Sequence, residues 1–467
     1  MGKANFQQKG TFAKNTQPKN GPPSKKQNGV QKTPNMVSKP QTKVQSMQVQ
    51  VNNYSVEWLR QGFDWVYHPE VLSKGSQVRH GAFVDIVDMK GTVLGRGIYC
   101  AETTTDTDDG EGTNIAVRRF VSTTDVGAVL SQAINEQWIQ QKIEQAYKRR
   151  CIPPGTNAWR LVHAENDDMP GVIIDVWDRQ YSVVLSCSSL SALLPWICTA
   201  LSQLFSVQVV WGHVRLPNGK QEYLGVLYAE DSNYTSDIVV QELGVSYAVT
   251  PSRSKDAGLF TDMRGLREWF VRNQVWTRYS SLHASEHVSS YTGTKVLNLF
   301  CYTAAFSVSA AKHGAREVHS VDLSPLYLSI ARENFVLNGL DVEAHSFVEM
   351  DSFQALDKYR RKEELFDVVI ADPPSFSHSA AGNWSVQNDL KRLVSACLRV
   401  LRPGGLLVIS TNYGKMSPRD FSKAIQDASN KEKRRLGLRY SYAPESDFPA
   451  ALHFPEARYL KCWVMDA

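Results

Sequence analysis

The chain of 467 residues lacks any apolar run near the roughly 18 residues that cross a bilayer as a helix, which excludes an integral helical membrane protein. It is poor in patterned cysteine. Its seven cysteines stand singly at 100, 151, 187, 198, 301, 397 and 462, with no CxxC pair and no Cys/His cluster. That argues against a disulfide framework or zinc site and for a reducing compartment, so no metal is expected and the location expected is cytoplasmic. Residues 1–50 contain no acid and no arginine. Without an apolar h-region they make a poor secretory signal, and without arginine a poor mitochondrial presequence. GxGxxG and the P-loop lysine are both missing, so a nucleotide gripped through its phosphates is not expected.

What is present is unevenly placed. The net charge is +5, but nine lysines give residues 1–50 a charge of +9 and leave the remaining 417 residues at −4. Rich in Lys, Gln, Asn and Pro, residues 1–53 read as a disordered basic tail, able to hold a polyanion weakly. An acidic body binds nucleic acid only through local patches. Candidates are Arg60, Lys74, Arg79, Lys90 and Arg96, then Lys148-Arg149-Arg150, then Lys431 to Arg435.

Residues 54–122 read as a small β-rich module, with strands at Ala82–Val87 and Thr92–Tyr99 around an Asp-Met-Lys-Gly turn. Residues 123–250 read as a linker helix over 126–150 and an α+β middle domain. From 251 to 467 strands alternate with helices, the pattern of a parallel sheet covered on both faces. Leu390, Leu393, Val394, Cys397, Leu398 and Leu401 trace one helical face, and strand Leu406–Ser410 follows. Ligands bind such sheets at the carboxyl ends of the strands, where the distinctive residues lie. The first strand runs into Asn298-Leu299-Phe300-Cys301-Tyr302-Thr303-Ala304-Ala305, whose small residues let backbone approach a ligand. Asp322 ends the next strand, placed to accept from ribose hydroxyls. Asp351 ends a third, placed to accept from an adenine amino group, with Phe353 against the ring. Each acid alone also reads as a helix cap. An adenosine with a sulfonium tail, S-adenosylmethionine, fits this set without a phosphate cradle. Asp372-Pro373-Pro374-Ser375-Phe376 ends the fourth strand as a stiff loop carrying a carboxylate and an aromatic that can stack a base. Ser410-Thr411-Asn412 ends the fifth.

These blocks resemble the class I S-adenosylmethionine-dependent methyltransferases of 23S ribosomal RNA, of the RlmI type and the N7-guanine half of RlmKL. The resemblance runs from about 54 to 467 and includes Lys255, Gly258, Leu259-Phe260, Asp262 and Arg264, similar to the segment that leads into the family's catalytic domain. It implies a Rossmann-like methyltransferase domain preceded by an RNA-binding PUA-like domain and the middle domain. It implies cofactor contacts from Asn298, Phe300, Tyr302, Thr303, Ala304, Asp322, Asp351, Phe353 and Asp372. Asp372, Pro373, Pro374, Phe376 and Asn412 would handle the target base, and ribosomal RNA is the implied partner, with a homodimer left open. Two departures stand out. The family's Thr-Gly-Gly-Phe is Thr303-Ala304-Ala305-Phe306 here, and alanine narrows the approach and resists positive φ, so a weaker or shifted cofactor fit is expected. Where cytosine-C5 enzymes of the RlmI type carry Ser-Cys-Ser, this chain has Ser410-Thr411-Asn412. Cytosine C5 requires a thiolate on C6; of the other cysteines of the domain, Cys397 and Cys462 read as packing and Cys301, in the cofactor loop, as buried or in contact with the cofactor. The expectation is therefore transfer to a base nitrogen such as guanine N7. The alternatives are a cytosine-5 enzyme of RlmI type and a catalytically weak RNA-binding assembly factor.

The charge split makes a prediction of its own. Deleting residues 1–50 should weaken RNA binding mainly at low salt and leave turnover at saturating RNA unchanged. Gel shifts and rates across a salt series check this, and lost turnover at saturation would refute it.

Overall fold

A computed structural model describes residues 47–103, 114–123, 134–278, 293–379, 382–454 and 458–467. Nearly all of the basic tail lies outside these. Its last part does not: Gln48–Val51 is a strand of a six-stranded sheet, paired between Phe83–Val87 and Val71–Lys74. The first module therefore begins before residue 54, and a deletion that tests the tail's charge has to stop ahead of Gln48, because removal through residue 50 would take most of this strand with it. Buried Gln50 breaks the apolar pattern between Val49 and Val51, and its amide is satisfied by the Ser73 hydroxyl at 3.2 Å and the Asp88 carbonyl at 3.4 Å. The expected strands appear as Phe83–Val87 and Val93–Tyr99.

The middle domain is a five-stranded sheet running from Gln221–Ala229 through Val209–Arg215, Gln180–Leu185 and Val172–Trp177 to Ala158–His163. Helices Glu136–Lys148 and Leu194–Leu204 pack on it through Ile139, Ile143, Ala146, Ile197 and Leu201. The first is shorter than its expected span of 126–150. Asn135 caps it, accepting from the Trp138 amide at 2.9 Å, and residues 124–133 fall outside the described set. A hairpin, Ile238–Glu242 with Val245–Val249, leads out of the domain.

The third part is a seven-stranded sheet. Its strands in chain order are β1 (Lys295–Leu299), β2 (Glu317–Asp322), β3 (Ser346–Glu349), β4 (Phe366–Ala371), β5 (Leu401–Thr411), β6 (Gly437–Tyr442) and β7 (Lys461–Asp466). They lie in the order β3-β2-β1-β4-β5-β7-β6, parallel except for β7, which runs antiparallel to β5 and β6. Leu401 opens β5 and does not close the preceding helix. Helices α1 (Ala305–Lys312), α2 (Pro325–Leu337), α3 (Ser352–Arg361), α4 (Val386–Val400) and α5 (Pro418–Glu432) cover the sheet. All six residues of β4 are buried, as expected of a strand covered on both faces. Chain order reverses between β1 and β4, which opens a crevice at their carboxyl ends. No helix among the described residues is long and apolar enough to cross a membrane.

Buried arginine–carboxylate forks brace these parts, and the one between Arg267 and Glu242 joins two of them. Arg264 meets Asp447 at 2.6 and 3.0 Å, and Arg267 meets Glu242 at 2.6 and 2.7 Å. Within the basic run at 148–150, Arg150 joins this set of buried pairs, while Lys148 and Arg149 stay exposed. The Arg150 side chain is buried on Asp167 and donates to the Arg160 and Leu161 carbonyls, while Arg149 bonds the same carboxylate at 2.8 Å. Lys148 is taken by Glu144. Arg434 likewise turns inward, to the carbonyls of Leu398, Leu401 and Arg402. In the first module Arg96 is half-buried and faces Asp85, while Arg60, Lys74, Arg79 and Lys90 are exposed, Lys74 lying over the Tyr99 ring.

Asp447→Ala should cost ~3–5 kcal/mol, because it strands a buried guanidinium. Urea unfolding checks this, and a change below about 1 kcal/mol would show that Arg264 finds another partner.

Candidate active site

The loop after β1 is the most strained segment near the crevice. Phe300, Tyr302 and Ala304 have φ of 55°, 53° and 65°, a conformation costing ~1–2 kcal/mol for each non-glycine residue. Its surroundings hold it there. The Tyr302 amide donates to Asp322 Oδ2 at 2.9 Å and the Cys301 amide to the Val321 carbonyl at 3.0 Å. The Thr303 hydroxyl donates to the Gly258 carbonyl at 2.5 Å, and Asn334 donates to the Thr303 carbonyl at 2.9 Å. Of the two alanines expected to resist the turn, only Ala304 sits at positive φ. Its buried methyl packs by Leu328 and Ala331, while Ala305 is already helical.

Asp322 ends β2 with both oxygens aimed by backbone, Oδ2 at Tyr302 and Oδ1 at the Ser324 amide, 2.9 Å away. Burial raises its carboxyl above the usual range against the pull of those amides. Asp351 does cap α3, its Oδ1 accepting from Phe353 at 2.9 Å and Gln354 at 3.2 Å. The capping and ligand readings are compatible, since one oxygen serves both amides.

Asp372 ends β4. Its Oδ1 accepts from the Ser410 hydroxyl at 2.5 Å. Burial, reinforced by the negative charge of Asp262, pushes its pKa up to about 6, while Ser410 and Arg267 pull the other way. The Trp384 indole donates to the Pro374 carbonyl at 2.7 Å, and Ser375 donates its hydroxyl to Asn412 Oδ1 at 2.8 Å. The amide nitrogen of Asn412 is thereby left for the cleft. Lys461 holds the following turn, donating to the Tyr413 and Tyr459 carbonyls at 2.8 Å each. Burial draws its pKa down to about 8.

These elements enclose a cleft of about 670 Å³. Among the residues expected to hold a cofactor, Phe300, Tyr302, Asp322, Asp351, Phe353 and Asp372 line it. Asn298, Thr303 and Ala304 are buried behind it, with Asn298 bonded to the Ser307 hydroxyl, so they brace the loop. Among those expected to meet a base, Asp372, Pro373, Pro374 and Asn412 line the cleft. Phe376 does not: its ring meets Tyr413 edge-on at 5.3 Å and packs into the core. Trp384 stands in its place, 5.8 Å from Phe353 and 6.0 Å from Phe300. Phe260, Asp262 and Arg392 also line the cleft and were not foreseen. Only the Leu259-Phe260-x-Asp262 segment offered a signal for any of them.

Among the described residues the lining holds six aspartates, at 262, 322, 351, 357, 372 and 389, against one cation, Arg392. This donor set fits a compact cation and two hydroxyls better than a phosphate. It suits S-adenosylmethionine, with Asp322 and Asp351 able to hold the nucleoside and the aromatics able to cover it. No cysteine is among the described residues that line the cleft, and burial favours the protonated form of the three thiols in this part. Burial and the Asp322 charge keep Cys301 protonated, burial and Asp372 do the same for Cys462, and burial alone for Cys397. Glu317, His319 and Glu364 cluster elsewhere, but the Lys295 ammonium already bonds both carboxylates, at 3.2 and 2.7 Å.

Sheet order, strand-end aspartates and cleft together define an S-adenosylmethionine-dependent methyltransferase. The family model for such enzymes matches residues 198–445, just over half the chain, and a PUA-like domain model matches 49–103. The ribosomal RNA large subunit methyltransferase I of Aeromonas hydrophila is 31% identical over 421 residues, covering 86% of this chain and 95% of its own. That of Klebsiella pneumoniae is 30% identical, covering 86% and 94%. The chain belongs to the ribosomal RNA large subunit methyltransferase I family. A methyltransferase structure with SAH has the same fold, with a TM-score of 0.72, 22% identity, and coverage of 90% of this chain and 100% of that one. A Streptococcus mutans methyltransferase matches at 0.70 and 21%, with the same coverage.

Because the folded state raises the pKa of Asp372, this group favours folding below its ordinary value near 3.8, and that contribution is lost as pH rises through about 6. Asp372→Asn should therefore gain thermal stability over the parent as pH rises from about 4 to 7 and plateau above. A pH-independent difference in melting would contradict it.

Proposed function

We propose that this chain methylates a base of large-subunit ribosomal RNA in the cytoplasm by direct transfer to a ring nitrogen, guanine N7 being the best fit. The observation that carries this reading is the absence of a usable thiol at the cleft. Thr411 occupies the place of the cysteine in the cytosine-5 type, fully buried, with its Oγ1 accepting from the Tyr413 amide at 3.1 Å. The cysteines nearby are buried and protonated. A cytosine C5 would need covalent activation at C6 and later removal of a proton. Guanine N7 needs neither, since its lone pair lies in the ring plane and carries no proton.

Bound S-adenosylmethionine supplies a methyl group on a cationic sulfur and leaves as a neutral thioether. The residues' work is then positional and electrostatic. Asp322 holds the ribose, Asp351 the adenine edge, and Phe353 and Trp384 the faces around it. The Asn412 amide nitrogen donates to an acceptor on the base edge, which guanine O6 provides beside N7. Ionised Asp372 offsets the positive charge that spreads over the base as its nitrogen is methylated. Six aspartates favour the cationic cofactor over its neutral product, which promotes exchange. The PUA-like module supports RNA binding through Arg60, Arg79 and Lys90.

Two outcomes are expected. Cys301→Ala should keep turnover within about threefold of the parent, and RNA carrying 5-fluorocytidine should form no covalent adduct; a trapped adduct would establish thiol attack. kcat/KM should fall as pH drops through about 6, and Asp372→Asn should flatten that limb while lowering its plateau. An unchanged pH profile in Asp372→Asn would remove Asp372 from the chemistry.

A further inference from the structure

An anionic cleft must still admit a polyanion. Arg392 is the one cation among the described residues that line it. It lies in the second turn of α4, exposed, with its guanidinium carbon 4.1 Å over the Phe353 ring. The neighbouring charges are already engaged. Asp389 accepts from the Ser385 amide at 3.1 Å, Asp357 pairs with Arg360 and Arg361, and Lys391 faces Asp427. No carboxylate lies within ion-pair distance of Arg392 among the described residues. A guanidinium laid on an aromatic face has its plane fixed while its N–H edges stay available for bidentate bonding to an anion.

We propose that Arg392 grips a backbone phosphate of the target RNA at the lip of the cleft and so seats the nucleotide whose base enters. This inference rests on the RNA reading above. Repulsion from six aspartates would otherwise push the sugar–phosphate chain away from the mouth, and Arg392 supplies the one local counter-charge. It contacts RNA backbone and not base, so it contributes binding and register without sequence preference.

The other anion that could meet Arg392 is the carboxylate of the cofactor, and the test separates the two. Arg392→Gln keeps the length of the stem and removes the charge. Arg392→Lys keeps the charge and loses the fork. Steady-state methylation of large-subunit ribosomal RNA is measured for both variants and the parent over a salt series, alongside calorimetric S-adenosylmethionine binding and thermal melting. For Arg392→Gln the expected result is a KM for RNA raised about tenfold, kcat within about threefold, and a slope of log affinity on log salt shallower by about 1. Its affinity for S-adenosylmethionine should stay within about twofold, and Arg392→Lys should restore part of the RNA affinity. An unchanged RNA KM and salt slope overturns the proposal. So does a tenfold loss of S-adenosylmethionine affinity, which would give the residue to the cofactor. If the parent itself fails to methylate ribosomal RNA, the RNA reading falls first.

Discussion

The cleft depends on a buried fork of two hydrogen bonds, Arg267 to Glu242. Glu242 belongs to the hairpin leaving the middle domain and Arg267 to the helix Arg264–Arg272 packed against the methyltransferase sheet. Two buried charges repay their desolvation only when their geometry is good and their remaining polar atoms are satisfied. Arg267 meets that demand with a third bond, to the Phe260 carbonyl at 2.8 Å. Phe260 is thereby fixed at the rim, its ring 5.0 Å from Tyr302. Nearby, Asp262 receives the Tyr459 hydroxyl at 2.7 Å. One ion pair thus couples the approach of two domains to the wall of the site, and its charge also reaches Asp372.

From that anchor the two ends of the site are built. A strained loop, pinned by Asp322, shapes the cofactor end. A proline-stiffened loop, pinned through Ser410, Asn412 and Trp384, shapes the reacting end. Neither end offers an ionised thiol, and both are rich in carboxylate. Such a site stabilises positive charge, whether on sulfur before transfer or on a base after it. It has little to offer a carbon nucleophile that must first be made covalent.

Much of this was legible in the sequence. β1 and β4 are mostly apolar, Asp322 ends β2 and Asp372 follows β4, so these strand ends stood out. The lost information was tertiary. Phe376 follows Pro-Pro in sequence, but the chain turns its ring toward Tyr413, and Trp384 returns to the cleft through a hairpin that no spacing rule marks. Arg149 and Arg150 looked like a solvated basic run because their partner, Asp167, is brought to them only by the fold. Gln50 hid a strand because a buried glutamine reads as surface until its two partners are known. The alanine at 304 was expected to resist positive φ, yet it adopts it. Strain of ~1–2 kcal/mol is countered by a buried methyl worth ~0.8 kcal/mol and by a smaller loss of chain entropy than glycine would suffer.

The central claim is that the methyl group goes directly to a ring nitrogen of guanine. Mass-spectrometric mapping of methylated nucleosides in large-subunit ribosomal RNA, from cells with and without this gene, tests it most directly. The account requires one 7-methylguanosine to vanish on deletion and to return when the purified protein and S-adenosylmethionine are added. Loss of a 5-methylcytidine, with every 7-methylguanosine intact, would contradict it.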